Sequence, residues 1–187
     1  MKPRSKRAES TLQDRRASIV DAARRIAEAE GWSAVTVRRL ADAIEYSQPV
    51  LYSHFADGRD GIVAAVVVDG YNRLAEAIGA PSGRTRKQRL RTFIARYLAF
   101  ARANPAVYLA MSAMTTSVTF AAADTPTPLR ASFDRVMSVV SIGADDETRG
   151  ELLWSAVHGM TALTLGDRLR PEAEAQRIDL LAELFAH

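Results

Sequence analysis

The chain contains no cysteine, which excludes disulfides, thiolate nucleophiles and cysteine-ligated zinc or iron–sulfur centres. Histidine is scarce. His54, His158 and His187 lie far apart, and no helical stretch pairs a histidine with a carboxylate at metal-ligand spacing. Long apolar runs are missing as well: the longest strongly apolar one, Ile62 to Val68, stops at Asp69. That is far short of the roughly 20 residues a membrane helix needs, so no membrane partner is expected. No useful length of chain alternates with a period of two, so strands are not expected either. A phosphate loop is absent, because Gly79 and Gly83 are followed by Arg84 and Thr85, without Gly-x-x-x-x-Gly-Lys spacing or a preceding strand. With no such loop, no metal set and no nucleophile beside a base, an enzyme is the weaker class and no cofactor is expected.

What the 187 residues do hold is 48% hydrophobic and 25% charged content, the balance of a globular protein and not of a disordered one. The net charge of +3 decides little, but its placement is informative. Residues 1–16 carry six Lys/Arg against Glu9 and Asp14, a net +4. The expectation is a mobile basic arm, either adding salt-dependent phosphate contacts or only solubilising the chain. No apolar stretch follows Met1-Lys-Pro-Arg-Ser-Lys-Arg7, so no secretory signal is read and a cytoplasmic location is expected.

The densest information lies between Val35 and Phe55. Thr36 is a good N-cap, and Val37, Leu40, Ala41 and Ile44 fall at i, i+3, i+4, i+7 to make one apolar stripe. Ser47 offers a second cap, and Pro49 sits in the first turn of the next helix, where its missing N–H costs nothing. Val50, Leu51 and Phe55 give that helix a buried face. Gln48, Ser53 and His54, with Tyr52 between them, are left as a polar face on a rod too short to be a core element. A short polar-faced helix held at an angle by an apolar one suits the major groove of DNA.

The remaining pattern is helical throughout. A first helix is expected from about Leu12 to Glu30, with Ile19, Ala22, Ala23 and Ile26 inward and Gly31 ending it. Trp32 and Val35 read as anchors to the same core. Asp57 is the expected cap of a helix reaching about Ile78, whose run Ile62–Val68 implies burial on both sides. Gly79 to Arg86 is a break. Lys87 to Ala103 follows, with Leu90, Phe93, Ile94, Tyr97, Leu98 and Ala101 on one side and a basic, solvated opposite face. Asn104-Pro105 starts the next helix, and residues 115–128 read partly as loop. Helices are expected from Pro128 to Ile142, from about Asp145 to Leu169, and from about Pro171 to Phe185. The fold class is all-α, with an arm at 1–16, a helix-turn-helix unit at 17–60, a connecting helix at 61–80 and a second domain at 81–187.

Three pieces in correct spacing carry a resemblance over roughly residues 15–65. They are Ile19-x-x-Ala22-Ala23 with Gly31, then Thr36-Val-Arg-x-Leu-Ala41, then Ser47-Gln-Pro-x-Leu-Tyr-x-His-Phe55. Together they resemble the TetR family of bacterial transcriptional regulators. The resemblance implies that Thr36 and Arg38 approach DNA, with Arg38 matching a position that in some members reads guanine O6 and N7. It implies that Gln48, Pro49 and Val50 meet base edges, and that Tyr52 and His54 anchor the phosphate backbone; Ser47 and Ser53 lie on the same rod. The chain departs from the pattern twice. Many members have glycine in the turn where Glu45 stands, and a left-handed glutamate costs roughly 1 kcal/mol, so a differently shaped turn is expected. Members usually carry lysine where Gly58 stands, and Arg59 is the replacement phosphate contact.

Leu153-Trp-Ser-Ala-Val-His-Gly159 resembles the Trp…His-Gly signature of one C-terminal subgroup. This implies a ligand-sensing and dimerisation domain. Tyr97, Phe100, Met111, Met114, Phe120, Met137, Trp154 and His158 are the pocket candidates, though Met and aromatic residues at helical spacing also build ordinary cores. Gly159 reads as a tight helix crossing. The last two helices are expected to form a four-helix bundle across a two-fold axis, with Leu152, Val157, Leu180, Leu181 and Leu184 as contacts. The implied protein is a homodimeric repressor of a palindromic DNA operator, released by a small-molecule effector. A protein-interaction module, or an activator without induction, is the alternative.

Overall fold

The computed structural model describes residues 3–114, 127–140 and 146–186. Among them are nine α-helices and no strand: α1 (Pro3–Glu30), α2 (Val37–Ala43), α3 (Gln48–His54), α4 (Arg59–Ile78), α5 (Arg86–Ala103), α6 (Pro105–Ala113), α7 (Thr127–Val140), α8 (Asp146–Leu165) and α9 (Glu174–Leu184). Short 3₁₀ turns at Trp32–Ala34 and Pro171–Ala173 precede α2 and α9. The all-α reading of the sequence holds. Two boundaries move. α1 continues back to Pro3, so the helix expected from about Leu12 begins earlier and takes in the segment read as an arm. α4 starts at Arg59, two residues after the expected cap Asp57, because Gly58 takes a φ of 56° at the entry.

The chain packs as two compact units. The first comprises residues 1–70 and 106–119, the second residues 71–105 and 120–187. The first unit therefore recruits α6 from beyond α5, which a division made along the sequence at residues 60 and 80 does not anticipate. Its core is built from the periodic apolar positions: Ile19, Ala22, Ala23, Val35, Leu40, Leu51, Phe55, Ile62, Val66 and Val67 are all buried. α6 is tied in at its N-terminus. The Glu28 carboxylate accepts from the backbone N–H of Ala106 and Val107, both at 3.0 Å, and Trp32 Nε1 donates to Ala106 O at 2.7 Å. A carboxylate at a helix start satisfies N–H groups that have no intrahelical partner. Gly70 then lets α4 and α6 approach: a Cβ there would sit 2.8 Å from Val107 Cγ1.

In the second unit α5 is the central element, packed on α7, α8 and α9. Thr85 and Gln88 close a reciprocal capping box at its start. Leu90, Phe93, Ile94, Tyr97, Leu98 and Ala101 are buried as the periodicity predicts. The basic face of α5 is not simply solvated. Lys87 pairs with Glu183, Arg91 with Asp179 at 3.0 Å and Arg102 with Glu174, so α9 runs along α5 acid against base. Arg96 turns the other way and donates to Ile78 O at 2.6 Å, capping the C-terminus of α4.

Candidate nucleic-acid interface

The mounting of α3 begins with α2. Thr36 accepts from the Arg39 N–H at 3.1 Å, the expected cap, and Leu40 and Ala41 bury its inner face. Beyond the C-cap Ile44 of α2, Glu45 has a φ of 56°, with Tyr46 N–H bonded back to Ala41 O at 3.0 Å. This is the six-residue closure of a Schellman cap, normally built with glycine. The expected change of turn shape does not occur; the glutamate adopts the left-handed conformation. Ser47 occupies the N-cap of α3 but its hydroxyl makes no capping bond, which corrects the role read for it. Val50 N–H instead bonds to Ser47 O at 3.0 Å, and Pro49 lies in the first turn as expected.

α3 turns Leu51 into the core, 1% exposed, and leaves Gln48, Pro49, Tyr52 and Ser53 exposed, Tyr52 by 50%. Val50 and His54 are half-buried beside them, and Thr36 and Arg38 are exposed at the start of α2. The two arginines there differ. Arg39 is tied to Glu30 at 2.7 Å, a hydrogen bond and charge that raise its pKa. The side chains of Arg38, Gln48, Tyr52 and His54 make no hydrogen bond or ion pair among the described residues. Ser53 Oγ donates to Val50 O at 2.7 Å, keeping its lone pairs for acceptance only.

Arg59 sits elsewhere than expected. Its guanidinium donates to Val35 O and Trp32 O, both at 2.9 Å, so it braces the backbone leading into α2 instead of reaching outward. Gly58 is explained by its surroundings: besides its positive φ, a Cβ would lie 3.0 Å from Tyr52 Cε1. Sequence reading missed Arg16, which donates from Nη1 to His54 O at 2.8 Å and lies over the Phe55 ring at 4.1 Å.

Residues 19–66 match the family profile described as bacterial regulatory proteins of the tetR family, and residues 90–186 match a tetracyclin repressor-like C-terminal domain. The chain belongs to the TetR family. It is a transcriptional regulator with a helix-turn-helix DNA-binding domain, and the family is one of DNA-binding transcription factors, not enzymes. It is 27% identical over 160 residues to an HTH-type transcriptional regulator of Mycobacterium tuberculosis, covering 80% of this chain and 70% of that one. A Rhodococcus sp. RHA1 protein of unknown function has the same fold, with a TM-score of 0.75 at 20% identity over 92% of this chain and 95% of that one. A tetR-family regulator from Streptomyces coelicolor follows at 0.68 and 19%, over 92% and 79%. The TetR-family regulator PfmR from Thermus thermophilus scores 0.56 at 17%, over 90% and 96%.

Of the residues expected to line an effector pocket in this TetR-family chain, those described are divided between the two units. Tyr97 and Phe100 are buried on α5, and Trp154 Nε1 on α8 donates to Tyr97 Oη at 3.2 Å. Tyr71 joins this set. Burial, then the nearness of Tyr97, pushes its phenol pKa up. His158 is half-buried one helical turn after Trp154, and Met137 packs against Gly150. Met111 and Met114 belong to the other unit, where Met111 packs against Gly70. Phe120 lies outside the described residues.

The expected dimer contacts divide in the same way. Leu152, Leu180 and Leu184 are 57%, 58% and 73% exposed, whereas Leu181 is half-buried. Val157 is fully buried within the protomer, so it serves the core and cannot face a partner. A Cβ added at Gly159 would meet no atom within 4 Å, so the tight crossing expected there is not found among the described residues of the chain. Among glycines within the described helices, the close approaches fall at Gly70 and Gly150 instead. Leu163, also on α8, is 41% exposed.

Proposed function

We propose that this protein is a cytoplasmic repressor that binds a palindromic operator as a homodimer and releases it when a small apolar or amphipathic ligand binds in the second unit. The observation carrying the reading is the α3 face. Gln48 and Tyr52 are exposed and uncommitted on a helix whose other side is locked by Leu51, as a rod entering a major groove requires. In this reading Gln48, Pro49 and Val50 meet base edges, Arg38 reaches a guanine, and Thr36, Ser47, Tyr52, Ser53 and His54 serve the sugar-phosphate backbone. Arg59 acts through the bracing of α2 and not as a phosphate contact.

Dimerisation through α8 and α9 is supported by Leu152, Leu163, Leu180 and Leu184, large apolar side chains exposed on a lone chain. Gly159, with open space before it, fits close approach of a partner helix. The buried Tyr71 and Tyr97, with the half-buried Trp154 bonded to Tyr97, support a ligand with an apolar body and a hydrogen-bonding group. Ligand and operator would compete through a population shift, each tenfold of discrimination between states being worth about 1.4 kcal/mol. α4 would carry it, since its residues up to Gly70 belong to the first unit and those from Tyr71 to the second.

Selection from random duplexes tests the reading. Enrichment of one inverted repeat, with two proteins bound per duplex or one dimer by sedimentation, is the expected result. Salt-sensitive binding with no sequence preference would refute it.

A further inference from the structure

We infer that Arg16 is a positioning residue for α3, a strut from α1 that fixes the angle at which the reading helix meets DNA; the inference rests on the DNA-binding role proposed for α3. The helix has seven residues, so its terminal carbonyls are a large share of its backbone and its own hydrogen bonds are few. Phe55 N–H takes Leu51 O at 2.9 Å and Gly58 N–H takes Phe55 O at 2.9 Å. His54 O is left to the guanidinium of Arg16, 2.8 Å away and 38 residues earlier in sequence. A cation belongs there by charge, because carbonyl dipoles make the C-terminal end of a helix negative.

Phe55 supplies the second half of the strut. Its ring is 3% exposed and held in the first unit's core, and Arg16 Cζ lies 4.1 Å above the ring centroid. Arg16 is itself mounted on α1, anchored three residues on by the fully buried Ile19. One planar group therefore connects a 28-residue helix, a buried ring and the last carbonyl of α3. It acts at the half of α3 that carries Tyr52 and His54, where the missing side chain of Gly58 leaves room for the Tyr52 ring. Directional contacts with bases tolerate errors of only about 0.5 Å or 10–20° in the supporting frame. Loss of the strut should weaken sequence-specific binding more than binding to any duplex.

The test compares wild type with Arg16→Met, Arg16→Gln and Arg16→Lys on the selected operator and on a scrambled duplex, across a salt series. Arg16→Met is expected to lose about tenfold in operator affinity, with scrambled-duplex affinity within twofold and an unchanged dependence on salt. Arg16→Lys, which keeps the cation and can still donate to His54 O, should recover to within about threefold of wild type. Unchanged operator affinity overturns the inference. So does an equal loss on both duplexes with the salt slope reduced by about 1, which would make Arg16 a phosphate contact. Should Arg16→Met fail to fold, Arg16→Gln is judged by the same criteria. A measurement without DNA separates this inference from the functional reading. In the free Arg16→Gln protein, exchange of the Phe55 and Gly58 amide hydrogens should quicken at least fivefold while that of Ile44, at the end of α2, does not change. Equal exchange in variant and wild type overturns the strut even if no operator is found.

Discussion

Glu45 and Gly58 both hold a φ of 56°, one with a side chain and one without, and they make opposite predictions. Glu45→Gly removes left-handed strain at the turn and should stabilise the protein by about 0.5–1 kcal/mol, read as a higher urea midpoint at unchanged slope. Gly58→Ala adds a Cβ in the same strained region, 3.0 Å from Tyr52 Cε1. It should destabilise by about 1–2 kcal/mol and displace Tyr52, lowering operator affinity in an anisotropy titration. The question at Glu45 was legible in the sequence, because the motif places it where glycine is usual. The answer was not, since the turn shape follows from how α2 and α3 pack. Arg59 and Arg16 both donate to backbone carbonyls that the sequence did not point to, for a related reason. A sequence displays each cation but not the carbonyls of Trp32, Val35 and His54 that occupy them.

At the scale of elements, the apolar stripes of α1, α2, α4 and α5 could be read directly, because a period near 3.6 fixes which side is buried. Contacts between elements distant in the chain could not. Glu28 lies 78 residues from the Ala106 N–H it caps, and nothing local marks it. Glu28→Gln keeps the shape but weakens two charge-assisted bonds, and should cost about 1–2 kcal/mol in thermal unfolding. The α5–α9 ion pairs make a pH prediction. The Arg102 guanidinium, hydrogen-bonded to Glu174, holds that carboxyl below its ordinary range. A depressed folded pKa contributes stability above the unfolded value and loses it as pH falls through the folded one. Melting temperature should therefore decline on acidification below the ordinary glutamate pKa of about 4.3. Glu174→Gln should lower it at pH 7 and flatten the decline; an identical acid profile in the variant would contradict the pairing.

For the whole molecule, the proposed dimer rests on three exposed leucines at the expected positions and a fourth at Leu163, while Val157 belongs to the core. An amphipathic helix buried in its own protomer and one buried by a partner have the same sequence signature, which is why Val157 and Leu180 looked alike. Leu180→Glu with Leu184→Glu should give a folded monomer by sedimentation and at least a hundredfold weaker operator binding, because two half-sites are then read separately. The central claim is narrower: that the exposed face of α3 reads DNA. Its most direct test is titration of the selected operator with wild type and with the Gln48→Ala, Tyr52→Ala double variant. At least a hundredfold loss of affinity is expected, in a variant whose oligomeric state and melting temperature are those of wild type. Affinity within twofold of wild type would contradict it.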